Sequence, residues 1–215
     1  MKSFIITIDG PAASGKEKIA KFISRKYKLK HIDSGLIYRK IAFFLINKKI
    51  KTKEYYKIKK IMEIFDFKKI SLRNDKRLRN EKIGKYASKI AVYSFVRKFV
   101  NFFQHKFVRN NSKSKGFVID GRDIGSVVFR NADLKLYIEV NAKNRANRRY
   151  KQLIDMGEKS IYPKILKGIK LRDIKDKKRK NSPLIKPKGC IVINNNGSFR
   201  NTISQINEVI SKKLN

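Results

Sequence analysis

Carboxylates are scarce in this chain: 17 Asp and Glu stand against 55 Lys and Arg, a formal net charge of +38 over 215 residues. Taken alone, that excess points to polyanions such as nucleic acid. The lysines are spread rather than clustered, and Lys, Asn, Ile and Phe are abundant throughout, a pattern that AT-rich coding also produces. Either origin implies weak, salt-sensitive binding to RNA or DNA. Cysteine occurs once, at Cys190. No internal disulfide is therefore possible, which fits a reducing compartment. Cys190 heads the apolar run Ile191-Val192-Ile193 and reads as a small buried hydrophobe. The two histidines, His31 and His105, have no Cys or His at metal-ligand spacing, so a zinc site is not expected. No stretch approaches the roughly 18 uninterrupted apolar residues of a membrane helix. The N-terminal run from Phe4 to Ile8 is halted by Asp9-Gly10, too soon for the apolar core of a signal peptide. These absences lead to the expectation of a cytoplasmic protein with no membrane partner.

What is present is an alternation of strands and helices. The length suits one α/β domain. Internal repeats, Pro- or Gly-rich linkers and heptads are missing. Strand patterns fall at Phe4 to Ile8, Lys30 to Ile32, Phe65 to Leu72, Phe117 to Ile119, Leu134 to Val140 and Ile191 to Ile193. Helical spacing covers Lys16 to Tyr27, Leu36 to Asn47, Tyr56 to Met62, Ala87 to Phe107 as one long helix, and Lys143 to Met156. The last segment puts Ile203, Ile206, Val209, Ile210 and Leu214 on one stripe. Short apolar strands separated by helices imply right-handed βαβ units and a parallel sheet with helices on both faces. In such folds ligands bind at the carboxyl ends of the strands.

Four motifs follow strands or a helical run. Gly10-Pro11-Ala12-Ala13-Ser14-Gly15-Lys16 comes directly after the first strand and matches the G-x-x-x-x-G-K core of a P-loop. Its amides and the following helix N-terminus would cradle phosphates, and Lys16 would reach the β- and γ-phosphates. The Ser or Thr expected next, for Mg²⁺, is replaced by Glu17, then Lys18. Asp33-Ser34-Gly35-Leu36-Ile37-Tyr38-Arg39 follows the second strand, where Asp-Ser-Gly is also an ordinary helix cap. Asp120-Gly121-Arg122-Asp123-Ile124-Gly125 sets two carboxylates around a guanidinium at a strand end. Its plainer reading is a surface ion pair. Arg172 to Arg179 is a charge run in which Arg172, Lys175, Asp176 and Arg179 share one helical side. Such a run is usually a solvated face, but over a P-loop it could clamp transferring phosphates.

With the four in this order, the chain resembles bacterial cytidylate kinases. The blocks ITIDGPAASGK, DSGLIYR, GFVIDGRDIGSVVF, ADLKLYI and SPLIKP carry the resemblance, which runs from about Phe4 to the last helix. It implies a P-loop kinase fold with a five-stranded parallel sheet, a small monophosphate-binding insert at about residues 55–95 and a lid at about 155–182. It implies transfer of phosphate from ATP, with Mg²⁺ brought by the nucleotide rather than held by protein ligands, to CMP or dCMP. Gly10 to Lys18 would bind ATP. Lys16, Arg122, Arg179 and Lys175 would form the catalytic set. Cytosine recognition falls to Ser34, Arg97 and Asp123, the CMP phosphate to Arg39, Arg122 and Arg179, and the sugar to Ser88, Arg172 and Asp176. Ser88 and Arg97 are placed through the looser block ASKIAVYSFVR. The chain departs from the family at Glu17 and Lys18, in a shorter segment between Tyr38 and Ser88, at Lys175 and Lys177 where Arg is common, and at Asn194 where Asp is usual.

The sequence holds 40 Lys and 15 Arg, yet positions 39, 97, 122, 172 and 179 are all Arg. Random placement rarely does this. Arg binds phosphates and base edges with a planar fork that Lys lacks. A monomeric enzyme is the expectation. The rival readings are a P-loop kinase with another small acceptor, and a basic nucleic-acid-binding protein with a degenerate P-loop.

Overall fold

The structure is a computed structural model that describes residues 3–65, 76–155 and 157–214. Its five strands are β1 (Phe4–Asp9), β2 (Lys30–Asp33), β3 (Gly116–Asp120), β4 (Leu134–Glu139) and β5 (Ile191–Asn194), in the sheet order β2-β3-β1-β4-β5. β1 pairs in parallel with β3 on one side and β4 on the other, and β4 pairs in parallel with β5. The register sets Ile6 beside Val118 and Leu134, and Ile8 beside Asp120 and Leu136. The carboxyl ends of β3, β1, β4 and β5 therefore lie along one edge. The strand expected at residues 65–72 falls mostly on residues outside the described ones.

The chain divides into two compact units. One comprises residues 3–31 and 115–214, the other residues 32–114. In the first, Ile6, Ile8, Val118, Leu136, Ile138 and Ile193 meet Ile19 and Ile23 of α1 (Lys16–Tyr27) and Ile206 and Ile210 of α8 (Phe199–Leu214). The i, i+4 spacing of both helical pairs directs their apolar stripes at the sheet. Every residue of β3 is buried, as a central parallel strand with both faces covered should be. β5 differs. Ile191 and Val192 are well exposed, and Cys190 just ahead of it is only half-buried, less enclosed than its apolar neighbours suggested. α6 (Ala142–Asp155) and α7 (Tyr162–Lys178) complete this unit and pack on each other.

The second unit holds α2 (Ser34–Asn47), α3 (Tyr55–Ile64), α4 (Glu81–Ile90) and α5 (Ser94–Asn110). The segment expected as the insert lies within it. The single helix expected from Ala87 to Phe107 is two. At the break, Ala91 caps α4 through its N–H to the Ala87 carbonyl, and Tyr93 is extended at φ −75° and ψ 124°. The turn lets the Tyr93 hydroxyl donate to the Thr52 carbonyl at 2.8 Å and its ring stack on Phe95 at 5.6 Å. A tertiary hydrogen bond and ring packing outweigh an unbroken helical pattern.

Candidate active site

The P-loop runs from β1 into α1, as its motif requires. Ala13 (φ 57°) and Gly15 (φ 85°) have left-handed backbones, which curl the loop and gather its amides. Lys16 is 6% exposed, and its ammonium donates to the Pro11 carbonyl at 2.7 Å and the Ser14 hydroxyl at 3.1 Å. Burial and the nearby Arg122 charge lower its pKa well below the ordinary value, against the pull of Asp120 and Asp9. The ammonium is thus folded back on its own loop, and an arriving phosphate would replace neutral oxygens with charged ones. Glu17 turns away along α1 to Lys21 at 2.7 Å. Lys18 lies over the Phe199 ring, 4.0 Å from its centroid.

Beneath the loop, Asp9 is fully buried and accepts the backbone N–H groups of Ile124 (2.8 Å) and Gly125 (2.7 Å). Burial pushes its carboxyl up to about 6, and the two N–H donors only partly offset this. These bonds fasten the π-helical turn Ile124–Val128, which follows Asp123. Asp120, at the end of β3, meets His31 Nε2 at 2.7 Å.

Arg122 and Arg179 converge on Asp176. Arg122 Nε donates to Asp176 Oδ2 at 3.2 Å. Arg179 lies 3.9 Å from Asp176 Oδ1 and 3.6 Å from Asp123 Oδ1. Burial raises the Asp176 pKa, but Arg122, Arg172 and Arg179 outweigh it and hold the carboxyl below the usual range. Arg179 is not on the helical face predicted for it. α7 ends at Lys178, and Arg179 is its extended cap at ψ 137°, donating Nε to the Ser182 carbonyl. The Leu184 N–H to Asp176 carbonyl bond (2.8 Å) pulls the chain into this bend. Lys175 stands exposed, outside the group that packs on Asp176.

In the second unit, Ser34 opens α2 and is buried, behind an Asp33 cap that accepts the Leu36 N–H at 2.9 Å. Arg39 donates to the Leu78 carbonyl at 2.6 Å. It crosses α4 at Gly84, where a Cβ would sit 2.8 Å from Arg39 Nη2. Ser88 is half-buried on α4. Arg97, on α5, is 5% exposed, donates to the Ala91 carbonyl at 3.2 Å and lies 6.0 Å from the Tyr38 ring. These four residues and the charge cluster on Asp176 each stand ordered within their own unit.

Several working residues escaped the sequence reading. Arg145, 4% exposed, donates to the Val140 and Ala12 carbonyls and doubly to Asp173 at 2.8 and 2.5 Å, joining the P-loop to α7. Asn195 holds the P-loop from behind. Its signal in the sequence is the polar run Asn194-Asn195-Asn196 at the end of an apolar strand.

Known proteins resemble this chain in sequence and in fold. A family model described as cytidylate kinase matches residues 6–215. A cytidylate kinase of Rickettsia felis is 38% identical over 214 residues, covering 99% of this chain and 94% of that one. One of Rickettsia canadensis is 40% identical over 192 residues, covering 89% and 84%. The crystal structure of a Thermus thermophilus protein shares the fold at a TM-score of 0.53 and 15% identity, covering 99% of this chain and 98% of that one. The match over nearly the whole length, to the family model and to these relatives alike, shows that the chain belongs to the cytidylate kinase family.

Proposed function

We propose that this enzyme transfers the γ-phosphate of ATP to CMP or dCMP, giving ADP and the nucleoside diphosphate, through the residues singled out above. The observation that carries the reading is the arginine cluster on buried Asp176, in the same unit as Lys16. The P-loop fits a polyphosphate: its backbone is curled, and its lysine is buried with only neutral hydrogen-bond partners. Gly10 to Lys16 would wrap the β- and γ-phosphates. Mg²⁺, when bound with ATP, would supply neutralising charge to the polyphosphate.

Arg39, Arg122 and Arg179 take the acceptor phosphate in this reading. Asp176 and Asp123 keep two of those forks aligned until phosphate competes for them. An oxygen of the CMP phosphate attacks the γ-phosphorus, and the bond to the ADP oxygen breaks. Lys16, Arg122, Arg179 and Lys175 spread the charge that develops. Ser34, Arg97 and Asp123 read the cytosine edge, and Ser88, Arg172 and Asp176 the sugar. A uracil keto oxygen in place of the amino group would leave buried groups unsatisfied, a loss of roughly 1–3 kcal/mol. A coupled assay of ADP release with CMP, dCMP, UMP and AMP tests this. CMP and dCMP should be the best acceptors, and superiority of UMP or AMP refutes the assignment.

A further inference from the structure

Asn195 directly follows β5 and is 3% exposed. All four of its polar groups are occupied. Its backbone N–H donates to the Glu139 carbonyl at 3.0 Å, at the end of β4. Its backbone carbonyl accepts from Arg148 Nη2 on α6 at 2.7 Å. Its side-chain Nδ2 donates to the Ser14 carbonyl at 2.8 Å. Its Oδ1 accepts from the Thr202 hydroxyl on α8 at 2.7 Å, and Thr202 has no exposed surface. One residue thus ties the P-loop to β4, α6 and α8. The Ser14 carbonyl can only accept, so it requires the NH₂ side of the amide, and the Thr202 donor holds the oxygen side away. The approach is close: a Cβ on Gly15 would lie 2.8 Å from Asn195 Nδ2.

The consequence follows from peptide planarity. The Ser14 carbonyl and the Gly15 N–H belong to one trans peptide and point in opposite directions. Whatever holds the carbonyl outward holds the amide inward. We infer that Asn195 is a positioning residue for the donor nucleotide: by fixing the Ser14–Gly15 peptide, it aims the Gly15 amide, and those after it, at the phosphates of ATP or ADP. This rests on the proposed role of the P-loop as the ATP site. It assigns nucleotide affinity to a side chain through the peptide that it holds.

Calorimetric titration with ADP, with CMP and with each variant's thermal midpoint measured alongside, tests the inference without turnover. Asn195→Asp places a carboxylate against the Ser14 carbonyl. It should weaken ADP binding about tenfold or more, the cost of losing a buried hydrogen bond, and leave CMP binding within about twofold. Lowering the pH to protonate the new carboxyl restores a donor and should recover part of the ADP affinity. Thr202→Val keeps the volume, removes the hydroxyl that orients the amide, and should weaken ADP binding about threefold. If the Asp variant does not fold, Thr202→Val decides by the same comparison. Unchanged ADP affinity in the folded variants, or parallel loss of ADP and CMP affinity, overturns the inference. Lys16→Ala serves as the separate control: if it binds ADP normally, the P-loop reading itself is wrong.

Discussion

Single residues carry the chemistry through their charge and its surroundings. Asp9 is the clearest case. Its carboxyl is pushed from 3.8 to about 6 by burial, with Asp123 adding repulsion and Lys16 opposing it. A folded-state pKa above the unfolded one stabilises the protein below the unfolded value, and that stability is lost as pH rises through the folded value. The wild type should therefore lose stability relative to Asp9→Asn between about pH 4 and pH 7, by on the order of 3 kcal/mol. Urea melts of both proteins across that range measure it, and a difference flat with pH rejects the assignment. Glu17 and Lys18 occupy the place of the metal-binding hydroxyl, yet one pairs with Lys21 and the other covers Phe199. A part-exposed i, i+4 pair of that kind is worth less than about 1 kcal/mol. Glu17→Gly with Lys18→Thr should then keep the fold, raise activity and lower the Mg²⁺ needed; a collapse of activity in the Mg²⁺ titration would make Glu17 a metal ligand. Arg122 holds Asp176 through Nε and reaches the Gly121 carbonyl through Nη1. Lysine has no such fork, so Arg122→Lys should lower kcat on the order of 100-fold with ATP binding little changed. Lys151→Ala, on the exposed side of α6, should do little. A near-normal Arg122→Lys enzyme removes the phosphate clamp.

Elements act by presenting those residues, and α4 shows how a helix can be tuned for presentation over stability. Gly84 lies in its interior, where glycine costs about 1 kcal/mol relative to alanine. The reason for keeping it is Arg39, whose guanidinium crosses the bare backbone. Gly84→Ala should leave the thermal midpoint equal or higher, since the clash is with the far end of a flexible side chain. The same change should raise KM for CMP several-fold and leave KM for ATP alone. An unchanged KM for CMP, or equal rises for both substrates, would detach Arg39 from the acceptor phosphate. The break between α4 and α5 is a second case. Helical spacing runs unbroken through Ala87 to Phe107, and only the distant Thr52 carbonyl and the ring of Phe95 show why Tyr93 leaves the helix. The end of α7 is a third, where the backbone bond from Leu184 to Asp176 bends Arg179 off the helix and against Asp123.

At the scale of the molecule, the excess of positive charge sets the response to salt. A chain at +38 repels itself in the folded state more than in the expanded one. The ion pairs Lys57–Glu54, Lys85–Glu81 and Lys212–Glu208 are exposed and contribute little. Screening should therefore stabilise the fold. The thermal midpoint is expected to rise between about 0.05 and 0.5 M NaCl, since the Debye length falls well below the spacing of most surface charges. A midpoint that falls with salt would mean that attractive pairs dominate instead.

Much of this protein was settled by local sequence. The P-loop and the short apolar strands in alternation with helices could be read directly, and arginine at positions 39, 97, 122, 172 and 179 stood out in a chain rich in lysine. Each is a property of neighbouring residues or of one residue type at one place. Tertiary structure decided the rest, because the partners are far apart in the chain. Asp9 meets Ile124 and Gly125 across more than a hundred residues, and Asn195 meets Ser14 across 181. In sequence Glu17 could turn to a metal or to solvent; in the structure it meets Lys21 one turn along α1. Periodicity reports which face of an element is apolar; which carbonyl lies within hydrogen-bonding distance of a buried amide depends on how the elements pack.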